Sequence, residues 1–320
     1  MDSHLQNQLV TYETWGGSEL YSLGVNLGFA VNRFPEPEDW IPLVSEQIGV
    51  RRVQFVADLL NPSLPGKIRS QKVRMINSLC EKHGVIVESA FTGAFTRVNH
   101  FGSADPEIRS YWKKWFFDYL EQSVDMGVTN IGGHPGILSQ RNNDDPVMRT
   151  KMLNQIAACW QEVFEFGSKI GLNFIGWEPM SIEREIGHTI IDAQNFQDLL
   201  NVNGSNFRLC LDLDHGDLVS PNSDDRDPIA WIRHFNSEIG LLHLKQTTPD
   251  RRRNMPFTKE NNQAGTVNAE LILSELTRAQ VPSCSMFLEL GFRERNPDDK
   301  SVVSATKESV DYWIDSGASL

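Results

Sequence analysis

Cysteine is scarce in this chain, four in 320 residues, and no two form a Cys-x-x-Cys pair. Cys80, Cys159, Cys210 and Cys284 each lie in apolar or helical stretches, which argues against a disulfide framework or a thiolate metal site and reads as buried thiols in a reducing compartment. Long hydrophobic runs are also missing. No stretch approaches the roughly 20 apolar residues of a membrane span, and the opening MDSHLQNQLVTYETWGG has no basic segment followed by an apolar block, so a cytoplasmic address is expected. Basic residues are the minority. Lys plus Arg number 30 against 42 Asp plus Glu, and the net charge of -12 repels a polyanion, so neither nucleic acid nor a membrane is an expected partner. No Pro/Gly/Ser-rich linker, low-complexity tract or repeat divides the chain.

What is present is an ordinary globular composition, 40% hydrophobic and 22% charged, arranged in a regular alternation. Eight β-rich runs recur: Ser22 to Gly28, Arg52 to Ala57, Val85 to Phe91, Val128 to Gly133, Asn173 to Glu178, Phe207 to Asp212, Ile239 to Lys245 and Ser285 to Leu290. Helical patterns fall between them. The clearest follows Asp105-Pro106 and sets Ile108, Trp112, Trp115, Phe116, Tyr119 and Leu120 on one face; a longer one runs from Pro146 to Ile170. Others start near Glu38, Lys67, Asp192, Pro228, Asn268 and Val302, while Gln246 to Gly265 reads as a long basic loop. The alternation predicts an α/β fold, a (β/α)8 TIM barrel with residues 1–320 as a single domain, because eight such units fit the usual barrel of about 250 residues plus insertions. The rival, a doubly wound sheet, lacks its Gly-x-Gly-x-x-Gly after the first strand.

A parallel barrel carries its chemistry where the strands end, so an acid or a histidine closing an apolar strand is a site candidate. Four successive strands supply one: Glu178 in FIGWEPM, Asp212 and His215 in LCLDLDH, His243 in GLLHLK, and Glu289 in SMFLELG. Burying lone carboxylates there costs several kcal/mol each, and a divalent cation would offset all of them together. Carboxylates with one imidazole suit Mn(II), Co(II) or Mg(II), with Zn(II) also possible. Asp214 shares a strand face with Asp212, so on spacing alone either could be the third carboxylate. His134, in Gly132-Gly133-His134-Pro135-Gly136, follows strand four. Trp177, Phe29 and Phe91 read as core.

The Glu, Asp, His and Glu at the ends of strands five to eight, with Asp212-Leu213-Asp214-His215 as an Asp-x-x-His motif, resemble the D-tagatose 3-epimerase group of the xylose isomerase-like barrels. That resemblance favours Asp212 over Asp214. It implies one divalent metal, Mn(II) foremost, held by Glu178, Asp212, His243 and Glu289, with His215 touching substrate. It further implies that Glu178 and Glu289 serve as the acid/base pair that inverts C3 of a ketose through an enediolate. The segment Trp177 to Glu185, with the strand end His243-Leu244-Lys245, is similar to a branch acting on tetrulose phosphates, which implies a small-molecule ketose or ketose phosphate. Lys245 and the loop arginines Arg251 to Arg253, Arg251 and Arg253 foremost, would then face the phosphate, and His134 the substrate hydroxyls. Rival readings on the same barrel are a keto-polyol dehydratase, an aldose-ketose isomerase and a carbohydrate binder without turnover. An abasic-site endonuclease is disfavoured by the charge and by its three-zinc cluster, for which His134, His188 and His234 would have to supply extra ligands. A homodimer is the expected assembly.

Overall fold

The computed structural model describes residues 20–249, 254–294 and 298–320. Each β-rich run becomes one strand: β1 Tyr21–Asn26, β2 Arg52–Val56, β3 Ile86–Phe91, β4 Asn130–Gly133, β5 Phe174–Trp177, β6 Phe207–Asp212, β7 Ile239–Leu244 and β8 Cys284–Leu288. All neighbours pair in parallel, in chain order, and β8 closes on β1, so the sheet has no free edge. The helices are α1 Pro37–Pro42, α2 Gly66–His83, α3 Pro106–Asp125, α4 Gln140–Asp144, α5 Pro146–Lys169, α6 Ile190–Leu200, α7 Pro228–His234, α8 Lys259–Ala264, α9 Ala269–Arg278 and α10 Asp299–Asp315. This is the expected (β/α)8 barrel.

The same local device starts three of these helices. Asp105, Asp145 and Asp227 each stand before a proline and accept a backbone N–H of the first turn, at Glu107, Val147 and Ile229. On α3 the aromatic face packs inward through Trp112, Trp115, Phe116, Tyr119 and Leu120, but Ile108 is 45% exposed, because the first turn of the helix projects past the core. The described residues of the expected loop Gln246 to Gly265 carry regular structure: Gln246 pairs with Met255 across an isolated bridge, and α8 follows. All four cysteines are free and buried.

Side chains alternate between two cores along the strands. On β6, Leu209 and Leu211 join the outer core under the helices, while Cys210 packs with Phe91, Leu241 and Phe287 in a second cluster that plugs the barrel. Gly132 makes room for that plug. A Cβ on it would lie 2.3 Å from Phe91 Cε2, so any larger residue would displace the ring.

Candidate active site

The plug is the floor of a polar cluster one step further along the strands. Asp212 follows Cys210 by two residues on β6, His243 follows Leu241 on β7, and the ladder sets Asp212 opposite His243. Glu178 and Glu289 stand one residue beyond the last paired positions of β5 and β8, held by backbone bonds from Glu178 N–H to Gly133 O at 3.3 Å and from Glu289 N–H to Leu244 O at 3.2 Å. The strands are therefore slightly shorter than their hydrophobic runs, since the charged closing residues turn into the cluster. Strand β1 is shorter too. It ends at Asn26, not Gly28, because the Asn26 side chain accepts the Gly28 N–H and starts a helical turn.

Glu178, Asp212, His243 and Glu289 each point one donor atom into a space where all four atoms lie within 4.8 Å of one another, the only such cluster of histidine, cysteine and acid side chains among the described residues. His243 Nδ1 is 3.0 Å from Glu178 Oε1 and 3.1 Å from Glu289 Oε2. Three of the four side chains are buried, and Glu289 is 31% exposed at the opening. Lys245 is buried with them. Its Nζ lies 2.5 Å from both Asp212 Oδ2 and Glu289 Oε2, yet neither oxygen has a well-aligned hydrogen bond. Three carboxylates and one imidazole converging as an O3N donor set, with Asp212 Oδ2 and Glu289 Oε2 resting on Lys245 without an aligned hydrogen bond, fit a divalent oxygen-preferring cation.

Charge in the cluster follows from these contacts. Burial pushes the Glu178 carboxyl up, but His215 and His243 beside it prevail and bring it down to about 2. Burial acts the same way on Glu289, and Lys245 and His243 hold it well below the ordinary carboxylate range. The Lys245 ammonium loses by burial and gains more from Asp212, Glu289 and Glu178, so its pKa stands well above the usual value. Both glutamates are thus ionised and Lys245 is charged.

His215 touches the cluster from two sides, with Nε2 3.4 Å from Asp212 Oδ2 and Nδ1 3.6 Å from Glu178 Oε1, and its Nδ1–H donates to Pro179 O 2.9 Å away. His134 Nε2 approaches Glu178 Oε2 to 3.6 Å, and burial outweighs Glu178 in holding the ring below its ordinary pKa, hence neutral. Asp214 donates its backbone N–H to Asp212 Oδ1 and accepts from Asn254 N–H, so it supports Asp212 from outside the four-atom cluster. His188 binds Asp192 and His234 faces Gln194, away from the cluster. Arg251, Arg252 and Arg253 lie outside the described residues, as does the N-terminal segment through residue 19. Trp177, Phe29 and Phe91 are buried, and Phe29 also lines a cavity of about 330 Å³ shared with Thr92, Lys245, Asn254 and Glu289.

Sequence reasoning missed Asn26 and Gln54. Both are buried on β1 and β2, Gln54 Oε1 lies 2.8 Å from His243 Nε2, and Asn26 Nδ2 donates to the same oxygen. The available signal was a lone amide inside an apolar strand, Arg52-Val53-Gln54-Phe55-Val56.

Residues 44–314 match the family model described as xylose isomerase-like TIM barrel. The chain belongs to the xylose isomerase-like TIM barrel family. Within it, the chain is 34% identical over 302 residues to D-erythrulose 1-phosphate 3-epimerase of Brucella abortus, a match spanning 93% of this chain and 97% of that one. A protein provisionally named endonuclease 4 from Ureaplasma parvum is 24% identical over 56% of each chain. Among solved structures, D-psicose 3-epimerase with D-fructose shares the fold at a TM-score of 0.70 and 14% identity, covering 93% of this chain and 99% of that one. D-psicose 3-epimerase of Clostridium cellulolyticum H10 with D-tagatose does so at 0.68 and 15%, covering 93% and 100%. No described helix of this family member is long and apolar enough to cross a membrane.

Proposed function

We propose that this protein interconverts D-erythrulose 1-phosphate and L-erythrulose 1-phosphate by inverting C3, using Glu178 and Glu289 as its two acid/base groups. The single observation that carries this reading is the near full-length match, at 34% identity, to D-erythrulose 1-phosphate 3-epimerase, on a chain whose four strand-end donors converge. By class the enzyme is an isomerase acting on a carbohydrate. Inversion at a carbon beside a carbonyl needs one group to take the proton, a second to return one to the opposite face, and stabilisation of the enediolate between. Glu178 and Glu289 enter the cluster from β5 and β8, with β6 and β7 between them; ionised, either can accept the C3 proton, and the other must first take a proton from solvent to return it to the opposite face.

A divalent cation held by Glu178, Asp212, His243 and Glu289, Mn(II) foremost, would polarise the ketose carbonyl as a Lewis acid. His215 and neutral His134 flank Glu178 and are suited to orient substrate hydroxyls. Lys245 is the charged group nearest Glu289 at the cavity and is assigned to substrate, together with Arg251 and Arg253, which follow it in the sequence, for the phosphate. The hand of the substrate decides which glutamate acts first.

The test is incubation with D-erythrulose 1-phosphate and Mn(II) in deuterated water. One deuterium at C3 with the L-epimer as product supports epimerisation. Deuterium at C2 with the carbonyl shifted to C3, or loss of water, would assign the same residues to isomerisation or dehydration. The endonuclease reading would need cleavage of abasic DNA, which a net charge of -12 opposes.

A further inference from the structure

A histidine can offer Nδ1 to a cation only while its ring proton stays on Nε2. For His243 that choice is settled on the opposite side of the barrel. We infer that Asn26 and Gln54 are positioning residues that fix the proton of His243 on Nε2, in a relay whose direction is set by the backbone N–H of Gly28. The inference rests on the cation reading of the site.

The polarity of the relay is set at the Gly28 N–H, whose role cannot reverse. A backbone N–H can only donate, so the Asn26 atom 2.8 Å from Gly28 N is the oxygen. Asn26 Nδ2 then faces Gln54 at 2.6 Å, and a donor there requires that Gln54 present Oε1. His243 Nε2 lies 2.8 Å from that same oxygen, which can only accept, so Nε2 must carry the hydrogen. Nδ1 is left facing Glu178 and Glu289. Asn26, Gln54 and His243 are 2%, 0% and 0% exposed, so water does not scramble the directions. Gln54 Nε2 is buried without a partner, a penalty the amide would escape only by turning over, and turning would set its NH2 against that of Asn26. Were the amides mere packing between β1 and β2, this polarity would be of no consequence.

Asn26→Asp keeps the shape and reverses the relay: the new carboxylate still accepts from Gly28, but its second oxygen now needs a donor, so Gln54 turns and donates to His243. Gln54→Glu keeps an acceptor at both contacts. Gln54→Leu removes the relay without adding charge. Two measurements separate them: Mn(II) affinity, from the paramagnetic resonance of the free ion, and long-range 1H–15N correlation of histidine-labelled protein loaded with Zn(II) as a diamagnetic ion.

Wild type and Gln54→Glu are expected to show an Nε2–H on His243 and comparable Mn(II) affinity. Asn26→Asp is expected to bind Mn(II) about 10–100-fold more weakly despite its added negative charge and to lose the Nε2–H signal, and Gln54→Leu to weaken by about 10-fold. Should Asn26→Asp fail to fold, Gln54→Leu against Gln54→Glu still decides. Variants that bind Mn(II) like wild type with Nε2–H intact would overturn the relay alone. Wild type that binds no Mn(II) would overturn the cation reading, and the relay with it.

Discussion

The two halves of the barrel rim differ in chemistry. Strands β5 to β8 bring Glu178, Asp212, His243, Lys245 and Glu289, all ionisable, to one cluster, whereas β1 to β3 face the same space with the neutral Asn26, Gln54 and Phe91. The charged half holds the groups that can bind a cation and move protons. The neutral half holds the imidazole in place: Gln54 meets its Nε2, and the Phe91 ring packs edge-on with centroids 4.7 Å apart. An amide and a benzene ring orient a ligand without adding charge to a site that already carries three carboxylates. Changes in the charged half should therefore cost chemistry, and changes in the neutral half should cost order.

The largest effect should come from Glu289→Gln, which keeps the shape and removes a proton acceptor; kcat on D-erythrulose 1-phosphate should fall by about 10³-fold, with C3 deuterium exchange lost in parallel. Unchanged exchange in that variant would remove Glu289 from the chemistry. Next is Lys245→Met in the metal-free protein. It leaves Asp212 and Glu289 without their cation and should lower stability by about 3 kcal/mol in a denaturant titration, a loss that saturating Mn(II) largely restores. Against the neutral half, Gly132→Ala on the neighbouring β4 pushes Phe91 from its seat and should cost about 2 kcal/mol while leaving both glutamates in place; a larger drop in kcat than in stability would break the division between the halves.

The smallest expected effect is in acid. Glu178 in the folded chain titrates near 2, below its ordinary value, so its ionised form contributes stability that is fully present above the ordinary carboxylate range and is lost as pH falls toward 2. Metal-free Glu178→Gln should accordingly lose less stability than wild type between about pH 4.5 and 2, measured by denaturant midpoints across that window. Equal pH slopes would show that His215 and His243 do not hold the carboxylate down.

The charged half was legible because an acid or a histidine at the end of an apolar strand is conspicuous, and because strand periodicity tells which face it shares with the plug residues two positions earlier. The neutral half was not. Nothing in the order of residues says that Gln54 reaches across the barrel to His243, 189 positions away, and an amide in an apolar strand raises no comparable alarm. Asp212 and Asp214 illustrate the boundary: spacing left them equivalent, and the turn after β6 placed one in the cluster and the other behind it, with its N–H supporting the first.

The sequence by itself determined the eight alternating units, the Asp-Pro helix starts and the identity of the acids that close the strands, since these are set by local periodicity and capping. Closure of the barrel decided the rest. Only the register between β5, β6, β7 and β8 and the closing contact of β8 with β1 bring four donors within 4.8 Å of one another and set an amide from β2 behind the imidazole, because these distances depend on how strands stagger around a cylinder, which no single strand encodes.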